Sequence, residues 1–401
     1  MISSSASESV TSHLPERGIG PITTSKSWDR ECARIYSAGS SGRSALTSAA
    51  TLFVSTVEYA SSAIPTASAT NPNYVKIVDV GPRDGLQNEP KPIPPTIKAE
   101  LINRLALAGV RNIEAGSFVS PKWVPQMAGT AEVLSLIEIE PVPKTNYSVL
   151  VPNQKGLDLL LDILSPSTSP DSAAKPPPPV TEVAIFASAT DAFSLANTNI
   201  PVSGSLERLA PVARTALDAG LKVRGYVSVV ITCPYSGRVD PRRVRDVSKE
   251  LMQMGCYEVS LGDTTGAGTP VSVRAMLEEV AKEIDVGMLG GHFHDTNGTA
   301  IANIQTALDF GLRSFDASVG GLGGCPYSPG ATGNVATEDI VYALTGDNQW
   351  DVGPIDLTQL AEIGQWISGL LGRETTSRAG RALLARRKRE EERKRQESAK
   401  L

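Results

Sequence analysis

Short runs rich in apolar and β-branched residues recur eight times along the chain, at 75–80, 112–118, 146–151, 182–187, 222–231, 258–261, 288–294 and 314–319. Between them the apolar spacing changes to that of a helix. In 95–108, Ile97, Leu101, Leu105 and Leu107 fall largely on one side; in 270–284, Val273, Leu277, Val280 and Ile284 do the same. Gly109, Gly220, Gly255 and Gly311 stand where helices should end ahead of the next strand. Eight strand–helix units in about 270 residues predict an α/β chain folded as a (β/α)8 TIM barrel. A doubly wound open sheet is the alternative. It usually carries a Gly-rich phosphate turn after the first strand, and Gly81-Pro82-Arg83-Asp84-Gly85 is not one.

The ends and one internal segment break this rhythm. Residues 1–73 are rich in Ser, Thr and Ala without sustained periodicity and read as an extension. Within it, 26–63 resembles a mitochondrial presequence, with Arg34-Ile35-Tyr36-Ser37 as a processing site. Glu8, Glu16, Asp29, Glu31 and Glu58 weigh toward the alternative, a disordered tail or an over-long reading of the gene. The Pro-rich stretch 165–180 is expected to loop out between a helix and the fourth strand, on the face opposite catalysis. The catalytic domain is then 74–372, followed at 373–401 by a basic C-terminal helix whose interleaved Arg, Lys and Glu suit a solvated surface. Its last residues, Ala399-Lys400-Leu401, are close to a peroxisomal address. The expected location is the mitochondrial matrix, the peroxisome, or both.

With 401 residues and a net charge of −5, the chain has no general nucleic-acid footprint. It also lacks any apolar run of membrane-spanning length. Cys32, Cys233, Cys256 and Cys325 show no CxxC spacing, which fits a reducing compartment.

Polar residues gather after the strands. Asp79, Arg83, Asp84, Gln87 and Asn88 follow the first, Glu114 lies in the second, and Asn153 follows the third. Tyr226 belongs to the fifth, Asp263 ends the sixth, and the eighth leads into a Gly-rich loop with Cys325 and Asn334. This is the C-terminal face, where barrel active sites sit. Two of the chain's three histidines, His292 and His294, lie on the seventh strand, where residues two apart share a face. With Asp84 and Asn334 they form a mixed nitrogen–oxygen set suited to Mg²⁺ or Mn²⁺, and to Zn²⁺ less well. Arg83 is either a local partner of Asp84 or a fixed cation for a developing oxyanion.

The segments VGPRDGLQNE, IEAGSFVSPKWVPQMAG, RGYVS, CPYSG, MGCYEVSLGDTTGAGTP, HFHDTNG and GGLGGCPYSPGATGNVATED closely resemble the 3-hydroxy-3-methylglutaryl-CoA lyase family, over about residues 75–372. The resemblance implies a divalent-metal-dependent carbon–carbon lyase that cleaves an acyl-CoA to acetyl-CoA and acetoacetate, and a homodimer. It implies that Arg83 steadies the enolate oxygen, Glu114 orients Arg83, and Tyr226 lines the pocket. His292 or Asp263 would move protons, and Cys325 would assist protonation and loop closure. Gln87, Asn88, Lys91 and Asn153 are the expected contacts to the CoA substrate. Animal members carry a lysine where Pro90 stands, a role Lys91 would take over, and Ala399 replaces their C-terminal switch cysteine. A lyase for a related branched 3-hydroxyacyl-CoA, a condensing acyltransferase and a non-catalytic binding protein are the other readings.

Overall fold

A computed structural model describes residues 71–87, 89–138, 145–165, 178–324, 333–346 and 349–399. The N-terminal extension up to residue 70, most of the Pro-rich insertion, Asn88, Cys325 and the last two residues lie outside them. The strands are β1 (Lys76–Asp79), β2 (Asn112–Ser117), β3 (Asn146–Leu150), β4 (Val180–Ser188), β5 (Lys222–Ser228), β6 (Thr232–Cys233), β7 (Gly237–Arg238), β8 (Glu258–Asp263), β9 (Leu289–Phe293) and β10 (Ser314–Ala317). Eight of them close into a parallel barrel in the order β1-β10-β9-β8-β5-β4-β3-β2. The predicted (β/α)8 architecture is therefore present. β6 and β7 form a separate antiparallel hairpin after β5.

Several strand limits differ from the sequence expectation, two of them for a clear local reason. β4 begins at Val180, inside the stretch expected to loop out, because Val180 pairs with Tyr147. β5 stops at Ser228 instead of running to 231, because Val229 takes a left-handed conformation with φ +57. For a β-branched residue that conformation costs on the order of 1–3 kcal/mol. Val229 is fully buried, and its N–H donates to Thr264 Oγ1 at 2.9 Å.

The alternation along each strand separates two interiors. Outward residues such as Ile77, Ile113, Val149, Ile185, Val227, Val259 and Phe315 join one large apolar cluster with the surrounding helices. That layer supplies the hydrophobic stabilisation, about 25 cal/mol per Å² of apolar surface removed from water. Inward residues include Lys76, Glu114, Arg224, Tyr226, Glu258, Ser260, His292 and Asp316. Barrel interiors are usually filled by branched apolar side chains, so this lining is unusual.

Two helices follow the last barrel unit, Leu357–Leu370 and Arg378–Ser398. The second is exposed along most of its length, but its first turn is tied to the barrel. Ser377 Oγ donates to Asp339 Oδ1 at 2.7 Å, and Arg378 pairs with Asp295 at 2.8 Å, one residue past His294. Among the described residues no helix is long and apolar enough to cross a membrane.

Candidate active site

The C-terminal ends of the strands bring together Arg83, Asp84, Glu114, Tyr226, His292, His294 and Asn334. Arg83 and Asp84 sit in a tight turn, Gly81–Gly85, directly after β1. Gly85 is required there: a Cβ would lie 2.6 Å from Ser318 Oγ and 2.8 Å from Leu322 Cβ. The turn can thus pack against the segment following β10. Asn334 comes back beside β9 through an isolated antiparallel bridge to His294.

Asp84, His292 and His294 each offer a ligand atom within 4.8 Å of the others. Burial works against ionising Asp84, but Arg83 foremost, then the two histidines and a hydrogen bond from Asn334, bring its pKa down to about 2. The carboxylate is therefore charged at every relevant pH. His294 is pushed down to about 4 by burial and by His292, so it is neutral and keeps a lone pair. Its Nδ1 is buried with no hydrogen-bond partner among the described residues. An ionised carboxylate, a neutral imidazole and an unpaired buried nitrogen are what a divalent cation needs. Burial also opposes the charged form of His292, but a hydrogen bond from its Nδ1 to Asp316 Oδ2 at 3.1 Å raises its pKa overall. A bound cation would displace that proton from the other nitrogen, Nε2, which lies 3.9 Å from Asp84 Oδ2. The donor set fits a divalent cation. Asn334 Nδ2 donates to Asp84 Oδ2 at 2.9 Å and to the Leu322 carbonyl at 3.2 Å.

Arg83 is clamped. Its Nη1 donates to Asp84 Oδ1 at 2.6 Å and its Nη2 to Glu114 Oε2 at 2.8 Å. Burial alone would disfavour the cation, but Glu114 and Asp84 outweigh it and raise the guanidinium pKa above its ordinary value. Its Nε is buried without a partner among the described residues. Tyr226 lies under the group at 5.5 Å from ring centroid to guanidinium carbon, and its hydroxyl donates to Glu114 Oε2 at 3.0 Å.

Asp263 lies near enough to His292 to feel its charge, and the remaining expected site residues make local contacts. Asp263 Oδ2 accepts the Gly268 N–H of its own loop at 2.7 Å, while Oδ1 is buried and unpaired among the described residues. Burial raises its pKa against those backbone hydrogen bonds and the charge of His292. Asn153 caps the helix Gln154–Leu164, its side chain accepting from Gly156 N. Gln87 is half-buried just past the Arg83 turn, and Lys91 is exposed. The Lys91 carbonyl accepts from Gln126, which also bonds Glu89 and so ties the loop after β1 to the loop after β2. Asn88 and Cys325 lie outside the described residues.

Sequence reasoning missed the layer beneath. Arg224 Nη1 donates to Tyr226 Oη at 2.8 Å, and its Nε to Glu258 Oε1 at 2.6 Å. Its Nη2 lies 2.9 Å from Asp316 Oδ1. Asp316 Oδ2 meets His292 and accepts from Ser260 Oγ at 2.7 Å. Burial would raise the Asp316 pKa, but Arg224 and then His292 hold it well below the usual range. One buried guanidinium thus supports His292 through Asp316, and Arg83 through Tyr226 and Glu114. The available signal was a charge or hydroxyl at every second position of otherwise apolar strands: Arg224 and Tyr226, Glu258 and Ser260, Ser314 and Asp316.

Comparison with known proteins adds a second line of observation. The HMGL-like family model matches residues 74–367. The 3-hydroxy-3-isohexenylglutaryl-CoA/hydroxy-methylglutaryl-CoA lyase of Pseudomonas aeruginosa is 50% identical over 315 residues, covering 79% of this chain and 99% of that protein. The mitochondrial hydroxymethylglutaryl-CoA lyase of Bos taurus is 47% identical over 321 residues, covering 80% and 93%. The crystal structure of hydroxymethylglutaryl-CoA lyase from Pseudomonas aeruginosa matches with a TM-score of 0.72 and 49% identity, over 78% of this chain and 98% of that one.

Proposed function

This chain belongs to the HMGL-like family, and we propose that it is a divalent-cation-dependent lyase cleaving 3-hydroxy-3-methylglutaryl-CoA to acetyl-CoA and acetoacetate. The observation that carries this reading is the Arg83 clamp: a permanent cation with an N–H unpaired among the described residues, held by Glu114 and Asp84 beside the His292–His294 pair. The cation, Mg²⁺ or Mn²⁺, would be held by Asp84, His292, His294 and the Asn334 oxygen. When bound it supplies Lewis acidity to the substrate's 3-hydroxyl.

The chain's own residues do the rest. Loss of the hydroxyl proton makes C3 a ketone, and the C2–C3 electron pair passes to C2 and the thioester oxygen. Arg83 faces that developing enolate oxygen, and one such fixed donor is worth about 2.7–4 kcal/mol of barrier. Glu114 and Tyr226 keep the guanidinium in place. The hydroxyl proton goes to Asp263 Oδ1, which is unpaired among the described residues and in a setting that raises its pKa. His292 is less suited, since Asp316 holds one nitrogen and the other faces Asp84. Return of a proton to C2, assisted by Cys325, converts the enolate to acetyl-CoA, and Lys91, Gln87 and Asn88 contact the CoA. Asn153 is left in its capping role. The presequence-like stretch 26–63 and the mitochondrial label of the bovine relative support a matrix location.

The test is acetoacetate release from 3-hydroxy-3-methylglutaryl-CoA by purified protein with Mg²⁺. Absence of release, or equal release from Arg83→Gln, overturns the reading. Activity that survives a chelator overturns the cation assignment alone.

A further inference from the structure

The loop after β8 is held from outside itself. Three side chains that follow β9 donate to its backbone carbonyls: Asn297 Nδ2 to Gly266 at 2.8 Å, Thr299 Oγ1 to Gly268 at 2.9 Å and Asn303 Nδ2 to Gly268 at 3.0 Å. The Gly268 N–H in turn occupies Asp263 Oδ2 at 2.7 Å. The fit around Gly268 is close: a Cβ there would lie 2.6 Å from Asp263 Oδ2 and 3.3 Å from Asn303 Nδ2. The Asp263 carboxylate and the Asn303 carboxamide therefore flank the same glycine.

Neither donor to Gly268 is spent where its own helix would use it. Thr299 stands at the N-terminal cap of the helix Ala300–Phe310, where a Thr side chain commonly accepts a backbone N–H, yet it makes no such bond. Asp295 Oδ1 accepts the Ala300 N–H instead, at 3.1 Å. Asn303 is fully buried in the first turn of that helix, and its Oδ1 has no partner among the described residues. A buried carboxamide with an unmet oxygen lowers stability; the contact it does make is the one to Gly268. One continuous stretch, from His292 to Asn303, thus carries two expected cation ligands and both donors to Gly268.

We propose that Thr299 and Asn303 are positioning residues for Asp263: by fixing Gly268 they keep Oδ2 occupied and leave Oδ1 alone to take the 3-hydroxyl proton. The inference rests on the lyase reading above, which makes Asp263 the acceptor. In that step the substrate O–H bond breaks and a new O–H bond forms on Oδ1. The electron pair left on the substrate oxygen becomes the carbonyl of acetoacetate as C2–C3 breaks. Without the two donors Gly268 is free to shift and the carboxylate to turn, which misplaces the accepting oxygen. A positioned proton acceptor contributes about 10²–10⁴-fold to the rate, and misplacement forfeits part of that.

The experiment uses the full chain with Mg²⁺ and 3-hydroxy-3-methylglutaryl-CoA, with thermal melts to establish that each variant is folded. Thr299→Val, which removes the hydroxyl, is expected to lower kcat at least about tenfold. KM and the affinity for Mn²⁺ stay at their wild-type values, and Thr299→Ser restores kcat. Asn303→Ala acts in the same direction; if it does not fold, the Thr299 pair decides. A loss that acts through Asp263 does not add to the loss in Asp263→Asn, so adding Thr299→Val to Asp263→Asn should slow turnover no further. Unchanged kcat in folded Thr299→Val, a fall in Mn²⁺ affinity that accounts for the loss, or losses that add overturns this proposal alone. Wild-type turnover in Asp263→Asn overturns the acceptor assignment along with it. No acetoacetate from the wild-type protein overturns the lyase reading itself.

Discussion

Glu114 and Ile113 are consecutive residues of one strand, yet they belong to different regimes. Ile113 points outward into the apolar layer between sheet and helices; Glu114 points inward and holds Arg83 and Tyr226. Both are fully buried. The outer face stabilises the fold by removing apolar surface from water, a non-directional effect that tolerates similar shapes. The inner face gains little net stability from its ion pairs, because desolvation offsets attraction. What it gains is fixed geometry: removing one partner leaves another charge buried and uncompensated. The barrel therefore stores its stability on one side of the sheet and its chemistry on the other.

The sharpest way to break that division is Arg83→Gln. It is expected to lower kcat by at least about 100-fold, measured as acetoacetate release; near-normal turnover would mean the inner charges are mere packing. Asp316→Asn acts one layer deeper, loosening His292 without touching substrate. Its expected effect is a 10–100-fold weaker cation affinity, measured by Mn²⁺ titration, with a smaller change in affinity for the acyl-CoA. On the outer face, Ile113→Ala should cost about 2–5 kcal/mol of stability in denaturant unfolding while leaving kcat near the wild-type value. A large loss of turnover per folded molecule would blur the two regimes.

Carboxylates extend the contrast. Asp84, beside Arg83, is held at about 2. Glu338, in the helix Thr337–Thr345 behind the barrel, faces the Gly320 N–H at 2.9 Å instead of a guanidinium, and burial pushes it up to about 8. A folded-state pKa above the unfolded one means the native protein holds the proton longer. That contribution is complete below the ordinary Glu range and fades as pH rises through about 8. Glu338→Gln should therefore gain Tm relative to the wild type as pH rises from 5 to 8; a Tm difference, variant minus wild type, that falls over that interval would refute the assignment. The smallest effect belongs to the exposed pair Arg387–Glu362 on the C-terminal helices. Arg387→Ala should leave both the unfolding midpoint and turnover at the wild-type value within measurement error.

The outer face was the part most legible in the sequence, because alternating apolar residues and terminal glycines report directly on strands and helix ends. The Asp84–His292–His294 cluster was legible too: His292 and His294 two apart, and Arg83-Asp84 directly after a strand, sit where topology places barrel chemistry. The Arg224–Asp316–Glu258 layer was harder. A single charge inside a four- to seven-residue strand resembles a strand edge until closure turns it inward. Asn153 was harder to read, because a side chain suited to a ligand contact is equally suited to capping a helix, as it does here. The end of β5 could not be foreseen, since nothing in the residue type announces that Val229 adopts a positive φ.

Backbone pairing between β9 and β10 amounts to one register pair, Phe315 with Gly291, against seven between β4 and β5. Across that thin seam run the His292–Asp316 and Ser260–Asp316 hydrogen bonds. The side chains that hold His292 therefore also act as the clasp of the closed sheet. Local breathing of the barrel should begin at this seam, where amide hydrogens exchange fastest in the strands, and a cation that binds His292 should slow that exchange before it protects any other strand.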